Sequence, residues 1–276
     1  MEVQILSGNI MEIPLELGDR SLENMRKFHN WIKQQLIFKA KQNTNGKSLL
    51  DIACGRGGDL NKWNKAKFRN VTAFDNHTES LYETKKFDGA IKRYVSMKSL
   101  PNMPRVNFLN ISATIPDILE VLNKKDYNQF YDVVSCQFSF HYFVLQIDSV
   151  LKMISKKLNT GGYFIGTASD GDIISKNLKN GNISTECLFI KKLTEETYSF
   201  NIISENTTRE TYFQIKGESI EYFLSKEFLI NKCQYYGLEC ISILNFHEWK
   251  KNYNFELSDT EKTISYLNFS FMFKKV

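Results

Sequence analysis

The sequence predicts an α/β domain in which a mostly parallel sheet carries helices on both faces. Short apolar runs alternate with segments of helical periodicity up to residue 167. The first of these runs leads into a glycine-rich turn and then a helix, which is how nucleotide-binding sheets often begin. This alternation predicts a parallel sheet with helices on both faces and right-handed connections between its strands.

The elements are expected in a regular order. Residues 21–42 form an amphipathic helix, since their apolar side chains recur near helical spacing. Parallel strands are predicted at residues 48–53, 71–74, 106–109, 131–136 and 163–167. Helices are expected over residues 59–67, from residue 78, from residue 115 and over 147–158, with the glycines at 161 and 162 as the C-cap of the last.

The pattern changes after Ala168. Residues 170–209 are mostly polar, with β segments expected at 197–203 and 210–215. A helix at 226–236 precedes two apolar segments, 238–244 and 264–273, which predict a terminal antiparallel pair. We therefore predict an N-terminal arm over residues 1–19 and one domain over 20–276, with an insertion at about 170–216.

The charge distribution favours a polyanionic partner. The net charge is +5, and residues 21–105 contain 17 Lys or Arg against 7 Asp or Glu. Such a basic region would attract RNA, although lysines on solvated helix faces give the same count. The sequence gives no reason to expect specificity for DNA.

The cysteines and the apolar runs bear on the compartment. The five cysteines are scattered and include no CxxC pair, which fits reduced thiols in the cytoplasm and gives no zinc site. The N-terminus lacks a secretory signal, and no apolar run approaches the roughly 20 residues of a membrane helix. We expect a cytoplasmic protein without a membrane partner.

The turn over residues 51–59 is the most informative segment. A dinucleotide fingerprint needs a third glycine where this chain has Leu60. Asp51 at the strand end would repel a pyrophosphate, whereas it suits a cationic ligand without phosphate. S-adenosylmethionine is such a ligand. The alternative is a glycine turn that only packs a helix on the sheet.

Two further strand ends carry candidate nucleoside contacts. Asp75 ends the second strand, where a carboxylate can bind ribose hydroxyls, although a strand-end turn residue is the alternative. Asn110 and Ile111 follow the third strand, where an amide oxygen and a backbone N–H can meet an adenine edge.

The fourth strand ends in a run of amide, aromatic and imidazole side chains over residues 136–142. A planar base needs ring faces to stack on and a donor or acceptor to read its edge, and this run supplies both. Core packing is the alternative for Phe138 and Phe140, and a hydrogen-bonded turn histidine is the alternative for His141.

These segments together resemble the messenger-RNA cap guanine-N7 methyltransferases. The matching segments are Asn30-Trp-Ile-Lys33, Asp51-x-x-Cys-Gly-x-Gly-Gly-Asp59, Phe-Asp75, Cys136-Gln-Phe-x-x-His-Tyr142, Gly161-Gly-Tyr-Phe-Ile-Gly-Thr167, Ile220-Glu-Tyr-Phe-Leu224 and Ser265-Tyr-Leu267. The glycine turn is shared by many methyltransferases, but the Cys-Gln-Phe-x-x-His-Tyr run is far more specific. The Asn- and Lys-rich composition most resembles the methyltransferase domain of a capping enzyme from a large cytoplasmic DNA virus.

The resemblance implies a Rossmann-like class I S-adenosylmethionine-dependent methyltransferase. Its sheet would have seven strands, mostly parallel, with helices on both faces and a terminal antiparallel pair. The product would be S-adenosylhomocysteine, and the partner would be capped RNA with a GpppN end. Other capping activities are expected in the same polypeptide or complex, located in the cytoplasm, in a viral factory or in the virion.

The resemblance also implies residue roles. The cofactor would be bound by Lys33, Asp51, Ala53, Gly55, Asp75, Asn110, Ile111 and Gln137. The cap guanosine would be bound by Asn30, Phe138, His141, Tyr142, Glu221 and Tyr266. Two departures from the family pattern stand out. Asn110 stands where the family usually has an acidic residue. After the strand-five threonine, where the family often has proline, this chain has Ala168 and then Ser169-Asp170. Without the resemblance, Glu221 would be interpreted as an exposed carboxylate at the start of a helix.

The chemistry explains why no acid, base or metal ligand is predicted. Guanine N7 has a free lone pair and no proton to remove, and the methyl group is already activated. Catalysis can then come from in-line positioning and from electrostatics supplied by Glu221, His141 and Tyr142. Lys86-Phe-Asp-Gly89 matches the nucleophile motif of guanylyltransferases and ligases, but it falls in the helical region expected after the second strand.

Two other functions stay open at this point. One is methyl transfer to a small molecule by the same fold, which would proceed without any cap analogue. The other is a non-catalytic module that binds RNA or its cap, which would fail to bind S-adenosylmethionine.

Overall fold

The computed structural model describes residues 22–202 and 218–276. Eleven strands are described, numbered in chain order: β1 (Ser48–Ile52), β2 (Asn70–Asp75), β3 (Arg105–Asn110), β4 (Tyr131–Gln137), β5 (Leu158–Ser169), β6 (Ile183–Ser184), β7 (Leu188–Lys192), β8 (Thr197–Ile202), β9 (Ser219–Tyr222), β10 (Leu238–Asn245) and β11 (Asn268–Lys275). The described helices are α1 (Glu23–Thr44), α2 (Leu60–Lys65), α3 (Thr78–Tyr82), α4 (Ala90–Met97), α5 (Ile118–Lys125), α6 (Ile147–Lys157), α7 (Gly171–Leu178), α8 (Lys226–Tyr235), α9 (Phe246–Lys250) and α10 (Asp259–Tyr266). A 3-10 helix spans Phe140–Gln146.

Seven strands form the main sheet in the order β10-β11-β5-β4-β1-β2-β3. Strands β1 to β5 pair in parallel, and β11 pairs antiparallel with both β5 and β10. This confirms the predicted seven-stranded, mostly parallel sheet with a terminal antiparallel pair. Strand β11 begins at Asn268 rather than at residue 264, because residues 264–266 end helix α10.

The alternation of side chains along the strands divides the apolar core between the two faces of the sheet. Leu50 of β1 and Val134 of β4 pack on one face, with α5, α6 and α8. Leu49 and Val133 pack on the other face, with α1, α2 and α9. Strands buried on both faces explain why the sequence shows continuous apolar runs there.

A second sheet lies between α7 and α8 in the chain. Its four strands pair antiparallel in the order β6-β7-β8-β9. Its apolar side packs with α7, α10 and the start of α1 in a third buried cluster. Strand β8 matches the predicted β segment at 197–203, whereas the segment predicted at 210–215 and the N-terminal arm at 1–19 lie outside the described residues.

The helix expected from residue 78 begins there as α3, but it ends at Tyr82, and α4 begins only at Ala90, so the placement of Lys86 in a helical region is wrong. The Glu83 carboxylate accepts the backbone N–H groups of the next residues, at 2.8 Å from Thr84 and 2.6 Å from Lys85. A Cβ on Gly89 would lie 2.7 Å from the Leu81 carbonyl oxygen, so the chain folds back closely there. The segment with Lys86 is therefore a non-helical connection.

The glycine C-cap predicted after α6 is also wrong. Leu158 already has extended backbone angles and begins β5, so Gly161 and Gly162 lie inside the strand. A Cβ on Gly162 would lie 3.0 Å from the Asp132 carbonyl oxygen. The glycine thus permits a close approach of β4, where the β4–β5 register shifts.

Within the described ranges, no helix combines the length and the apolar character needed to cross a membrane.

Candidate functional site

The candidate site lies at the carboxyl ends of the parallel strands, where open α/β sheets bind ligands. Ala53 after β1 and Phe138 after β4 both have left-handed backbone angles, with φ of 56° and 57°. Their strands are neighbours, since Ile52 pairs with Cys136. Non-glycine residues in this conformation cost about 1–2 kcal/mol each and concentrate at functional sites.

Asp75 holds the glycine turn against the end of β2. Its Oδ2 accepts the Gly55 N–H at 2.8 Å, and its Oδ1 accepts the His77 N–H at 2.8 Å. The sequence predicted a ribose-binding role for Asp75, and the structure gives it a bracing role in the turn as well. Carboxylate oxygens can accept further hydrogen bonds, so both roles are chemically compatible.

A buried ionic cluster lies beside the turn. The Asp59 carboxylate is 2.9 Å from Lys33 Nζ and 2.8 Å from Lys62 Nζ. Lys62 also donates to Asn30 Oδ1 at 2.7 Å. The sequence predicted that Lys33 binds the cofactor, and the structure places Lys33 beside the glycine turn. The sequence predicted that Asn30 binds the cap, and Asn30 belongs to the same ionic cluster as Lys33.

Asp51 is buried at the end of β1 among other acids. Burial, followed by the charge of Asp59, raises the pKa of its carboxyl well above the usual range. The hydrogen bond from Ser135 and the charge of Lys33 only partly oppose this. A cationic group brought to Asp51 would favour the ionised form of its carboxyl. The Asp51 carboxylate therefore fits the amino end of S-adenosylmethionine.

Asn110 and Ile111 tie the ends of β2 and β3 together. The Asn110 side chain donates to the Asp75 carbonyl at 2.9 Å and accepts from Thr78 at 3.1 Å. The Ile111 N–H donates to the same carbonyl at 3.1 Å. Both groups have partners within the protein, and their contact with adenine stays a prediction.

Gln137 lies at the end of β4 beside Thr167 of β5. It donates to Ser135 Oγ at 3.0 Å and accepts from Thr167 Oγ1 at 3.2 Å. Thr167 in turn accepts from the Phe138 N–H at 3.0 Å. These bonds fix the left-handed turn at Phe138 between the two strands.

His29 is a site residue that the sequence did not single out. Its ring stacks on Phe138, with centroids 5.2 Å apart and planes 24° apart. Its Nε2 lies 2.9 Å from Ser265 Oγ, and burial together with the charge of Lys33 lowers its pKa to about 3. The sequence feature that could have indicated a site role for His29 is its position on α1, directly before Asn30. His29 therefore packs against the Phe138 ring as a neutral imidazole.

Glu221 lies at the centre of a second polar cluster, on β9 rather than at a helix start. The residue is 4% exposed. Donors reach it from three other elements: Tyr142 at 3.1 Å, Ser169 at 2.9 Å and Tyr198 at 2.7 Å. The interpretation of Glu221 as an exposed helix-start carboxylate is therefore wrong, because β9 is covered by the 3-10 helix and by β8.

His141 contacts the same carboxylate. Its Nδ1 accepts the Ser169 N–H at 3.3 Å, and its Nε2 lies 3.5 Å from Glu221 Oε2. An accepting Nδ1 places the proton on Nε2, facing the carboxylate. His141 therefore acts as a donor toward Glu221.

The pKa values of this cluster favour an ionised Glu221 and protonated tyrosine hydroxyls. Burial raises the pKa of Glu221, but attraction to His141 and hydrogen bonds from His141, Tyr198 and Ser169 lower it to about 2. Burial and the Glu221 charge raise the pKa values of Tyr142 and Tyr198 well above the ordinary value. The result is one buried anion surrounded by protonated hydroxyls.

Tyr266 lies at the end of α10. Its neighbour Ser265 contacts His29, and its own ring is edge-on to His247 at 6.0 Å. The Asn245 side chain donates to the Tyr266 carbonyl at 2.9 Å. Of the predicted cap residues, His141, Tyr142 and Glu221 are in direct contact, whereas Asn30, Phe138 and Tyr266 belong to the adjoining groups.

Sequence comparison identifies related proteins with one shared activity. A profile of the mRNA (guanine-N(7))-methyltransferase domain matches residues 18–266. The mRNA cap guanine-N(7) methyltransferase of Caenorhabditis elegans is 35% identical over 182 residues, which is 62% of this chain and 46% of that protein. That of Drosophila melanogaster is 28% identical over 244 residues, covering 82% of this chain and 56% of that protein.

A viral relative is also similar. The probable mRNA-capping enzyme of Acanthamoeba polyphaga mimivirus is 33% identical over 174 residues, covering 56% of this chain and 14% of that protein. The chain thus spans about half the length of these two animal relatives and a small part of the viral one.

Solved structures support the fold. An S-adenosylmethionine-dependent methyltransferase from Clostridium acetobutylicum superposes with a TM-score of 0.55 at 15% identity, over 94% of this chain and 93% of that one. A putative methyltransferase of the same kind from Listeria monocytogenes gives 0.53 at 13% identity, over 90% and 98%.

Proposed function

The chain belongs to the mRNA (guanine-N(7))-methyltransferase domain family, and on that premise we propose that it transfers a methyl group from S-adenosylmethionine to guanine N7 of the RNA cap. The observation that supports the proposal best is the buried Glu221 anion, which Tyr142 and His141 contact from the segment that follows β4. A protein rarely buries an ionised carboxylate without a partner or a function for it.

The cofactor half of the proposed site is acidic. Asp51 would meet the amino group of S-adenosylmethionine, Lys33 its carboxylate and Asp75 its ribose, with Ala53, Gly55, Asn110, Ile111 and Gln137 lining the remainder. The bound cofactor supplies a methyl group that is already activated on a sulfonium. In that state Lys33 would share its charge between Asp59 and the cofactor carboxylate.

The guanine half of the proposed site combines an anion with aromatic faces. Glu221 would accept from the N1–H or the 2-amino group of guanine. Phe138 and Tyr266 would supply ring faces, while His141, Tyr142 and Asn30 would hold the polar edge. An anion at this position also favours the positive charge that develops on the base during methylation.

No proton has to leave guanine N7, so the residues act by holding the base rather than by acid-base exchange. The fixed donors around Glu221 keep the carboxylate from turning with each substrate. Alignment of N7 with the methyl group at roughly 3–3.5 Å would then account for the rate.

The proposed substrate is RNA with a GpppN end, and the proposed setting is a capping system. The relatives are longer than this chain, and one of them is a viral protein named as a probable mRNA-capping enzyme. We infer that the chain works with other capping activities, in the same polypeptide or complex, in the cytoplasm, a viral factory or a virion.

The test is transfer of labelled methyl groups to three RNAs of one sequence. One carries a GpppN cap, one a triphosphate end, and one a cap with 7-deazaguanosine, which lacks the N7 acceptor. Label in the first RNA alone supports the proposal. Equal label in the triphosphate RNA, or label in the 7-deaza cap, contradicts it.

A separate arm addresses the other two functions. Methylation of small nucleosides without any cap analogue would indicate a small-molecule methyltransferase. Binding of a cap analogue without measurable binding of S-adenosylhomocysteine would indicate a non-catalytic module.

A further inference from the structure

The two oxygens of the Glu221 carboxylate have unequal surroundings. Oε2 is met by Ser169 Oγ at 2.9 Å, Tyr198 OH at 2.7 Å and His141 Nε2 at 3.5 Å. Oε1 is met by Tyr142 OH at 3.1 Å. A carboxylate offers about two acceptor sites on each oxygen, so Oε2 is fully used.

The fifth contact of the carboxylate is weak. Ser219 Oγ lies 3.4 Å from Glu221 Oε1, but it lies 3.1 Å from the Phe200 carbonyl oxygen. A serine hydroxyl has one proton to donate, and the carbonyl is the closer acceptor. Among residues 22–202 and 218–276, Oε1 therefore keeps an open acceptor site beside Tyr142.

The two strong donors to Oε2 come from different sheets. Ser169 ends β5 of the main sheet, and Tyr198 lies on β8 of the four-stranded sheet, directly opposite Glu221 in the β8–β9 register. Tyr198 is fully buried, and its ring packs on Phe223 at 4.9 Å. Both hydroxyls are thus held at fixed positions, and the carboxylate joins the two sheets.

We propose that Tyr198 and Ser169 are positioning residues for cap recognition, which bind Glu221 Oε2 and leave Oε1 as the oxygen that meets guanine. The proposal rests on the function proposed above and goes beyond it. Neither residue belongs to the predicted cofactor or cap contacts, and Tyr198 lies in the polar insertion, where the sequence shows no site motif.

Within the described residues, the polar groups that face Glu221 come from four elements. His141 and Tyr142 approach from the 3-10 helix, Ser169 from β5, Tyr198 from β8 and Ser219 from its own strand. Loss of a donor to Oε2 would free the carboxylate to rotate and would make its ionised form less stable.

The test compares Tyr198→Phe and Ser169→Ala with the matched control Tyr131→Phe. Tyr131 is also a buried tyrosine that donates to a buried carboxylate, that of Asp126, but it lies at the start of β4 and therefore at the opposite edge of the sheet. Circular dichroism and thermal unfolding establish that each variant is folded. Two positioning variants are used so that one misfolded protein does not decide the result.

The kinetic readout separates positioning from general damage. Tyr198→Phe and Ser169→Ala should each lower kcat/KM for capped RNA by about ten- to a hundredfold, the range for one hydrogen bond to a charged group. Their KM for capped RNA should rise, the acid limb of the pH profile should move to higher pH, and the affinity for S-adenosylhomocysteine should stay unchanged. Tyr131→Phe should lower the melting temperature without these changes.

A second readout does not depend on activity. Carbon-13 NMR of the Glu221 carboxyl, assigned with Glu221→Gln, follows its titration in the wild type and in Tyr198→Phe. A higher pKa in the variant supports the positioning role. An unchanged titration together with an unchanged KM for capped RNA overturns it. If the wild type does not methylate capped RNA, the proposed function fails, and the NMR titration still decides whether Tyr198 holds Glu221.

Discussion

The hydroxyl of Tyr142 donates a hydrogen bond of 3.1 Å to Oε1 of Glu221. Tyr142 belongs to the 3-10 helix that follows β4, and Glu221 belongs to a strand of the other sheet. The bond brings the most family-specific segment of the sequence into contact with a carboxylate 79 residues further along the chain. The proposed guanine pocket is therefore built across the two sheets rather than on one of them.

Replacement of Glu221 should separate cap methylation from cofactor binding. Glu221→Ala leaves the hydroxyls of Tyr142 and Tyr198 without their acceptor, at a cost of about 1–3 kcal/mol for each buried donor. We expect loss of most cap methylation, a lower melting temperature and retained binding of S-adenosylhomocysteine, measured by calorimetry. Unchanged steady-state methylation in Glu221→Ala would remove the residue from the pocket.

The charge of Glu221 also predicts a dependence of stability on pH. Its pKa falls from the ordinary 4.5 to about 2 on folding. The stabilisation is therefore complete above pH 4.5 and is lost as the pH falls toward 2. Acid unfolding of Glu221→Gln should lack this part of the pH dependence, and identical acid transitions in wild type and variant would contradict it.

Cofactor binding should release a proton from Asp51. Because the pKa of Asp51 is raised in the free protein, its neutral form stabilises the fold at low pH, and this contribution is lost as the pH rises through the raised pKa. A cationic ligand needs the ionised form, so affinity for S-adenosylhomocysteine, which keeps the amino group, should rise with pH over the same range.

Calorimetry in buffers of different ionisation heat measures this proton directly. Asp51→Asn should bind the ligand about a hundredfold more weakly, as expected for a lost bond between charged groups, and should release no proton. Asp148→Asn, which changes an exposed carboxylate paired with Lys232, is the control. Equal proton release by wild type and Asp51→Asn would assign the proton to another group.

The glycine turn gives a fourth prediction with a built-in control. Gly57 and Gly161 have φ of 69° and 78°, so alanine at either position should cost about 1–2 kcal/mol of stability. A Cβ on Gly57 would also lie 2.9 Å from Leu60 Cδ1, whereas a Cβ on Gly161 meets no atom within 4 Å. Only Gly57→Ala should weaken S-adenosylhomocysteine binding. Equal affinities of the two variants for S-adenosylhomocysteine would contradict this prediction and would show that the ligand tolerates a shift of the glycine turn.

Lys86 should not form a covalent adduct with GMP, despite its Lys-x-Asp-Gly context. The residue is exposed in the connection between α3 and α4. The following Phe87 ring packs under the Arg56 guanidinium at 4.0 Å, which ties this connection to the glycine turn. Incubation with labelled GTP should give no acid-stable protein label, and a label lost in Lys86→Ala would contradict this assignment.

The main sheet could be predicted because its strands are short apolar runs separated by turns and helices. Leu49 and Leu50 pack on opposite faces, so two adjacent apolar residues mark β1 as a strand buried on both faces. The break between α3 and α4 could not be predicted, because it depends on Gly89 approaching Leu81 in space. The C-cap prediction at Gly161 and Gly162 was wrong for a similar reason, because the close approach of β5 to β4 at Gly162 is visible only in the structure.

The site could be predicted only in part. Asp51, Asp75 and Gln137 lie at strand ends that the sequence marks by its apolar runs. Tyr198 and Ser169 could not be found this way, because their role depends on the pairing of β8 with β9 and on the contact between the two sheets. His29 was missed because a buried histidine on an amphipathic helix resembles an ordinary core residue.

The proposed reaction is methylation of N7 of the cap guanosine. The most direct measurement is nuclease digestion of GpppN-capped RNA after one turnover with labelled S-adenosylmethionine, followed by chromatography of the released nucleotides. All label should elute as 7-methylguanosine from the cap, and Glu221→Ala should lower its yield. Label on a ribose, on an internal base or on a free nucleotide would contradict it.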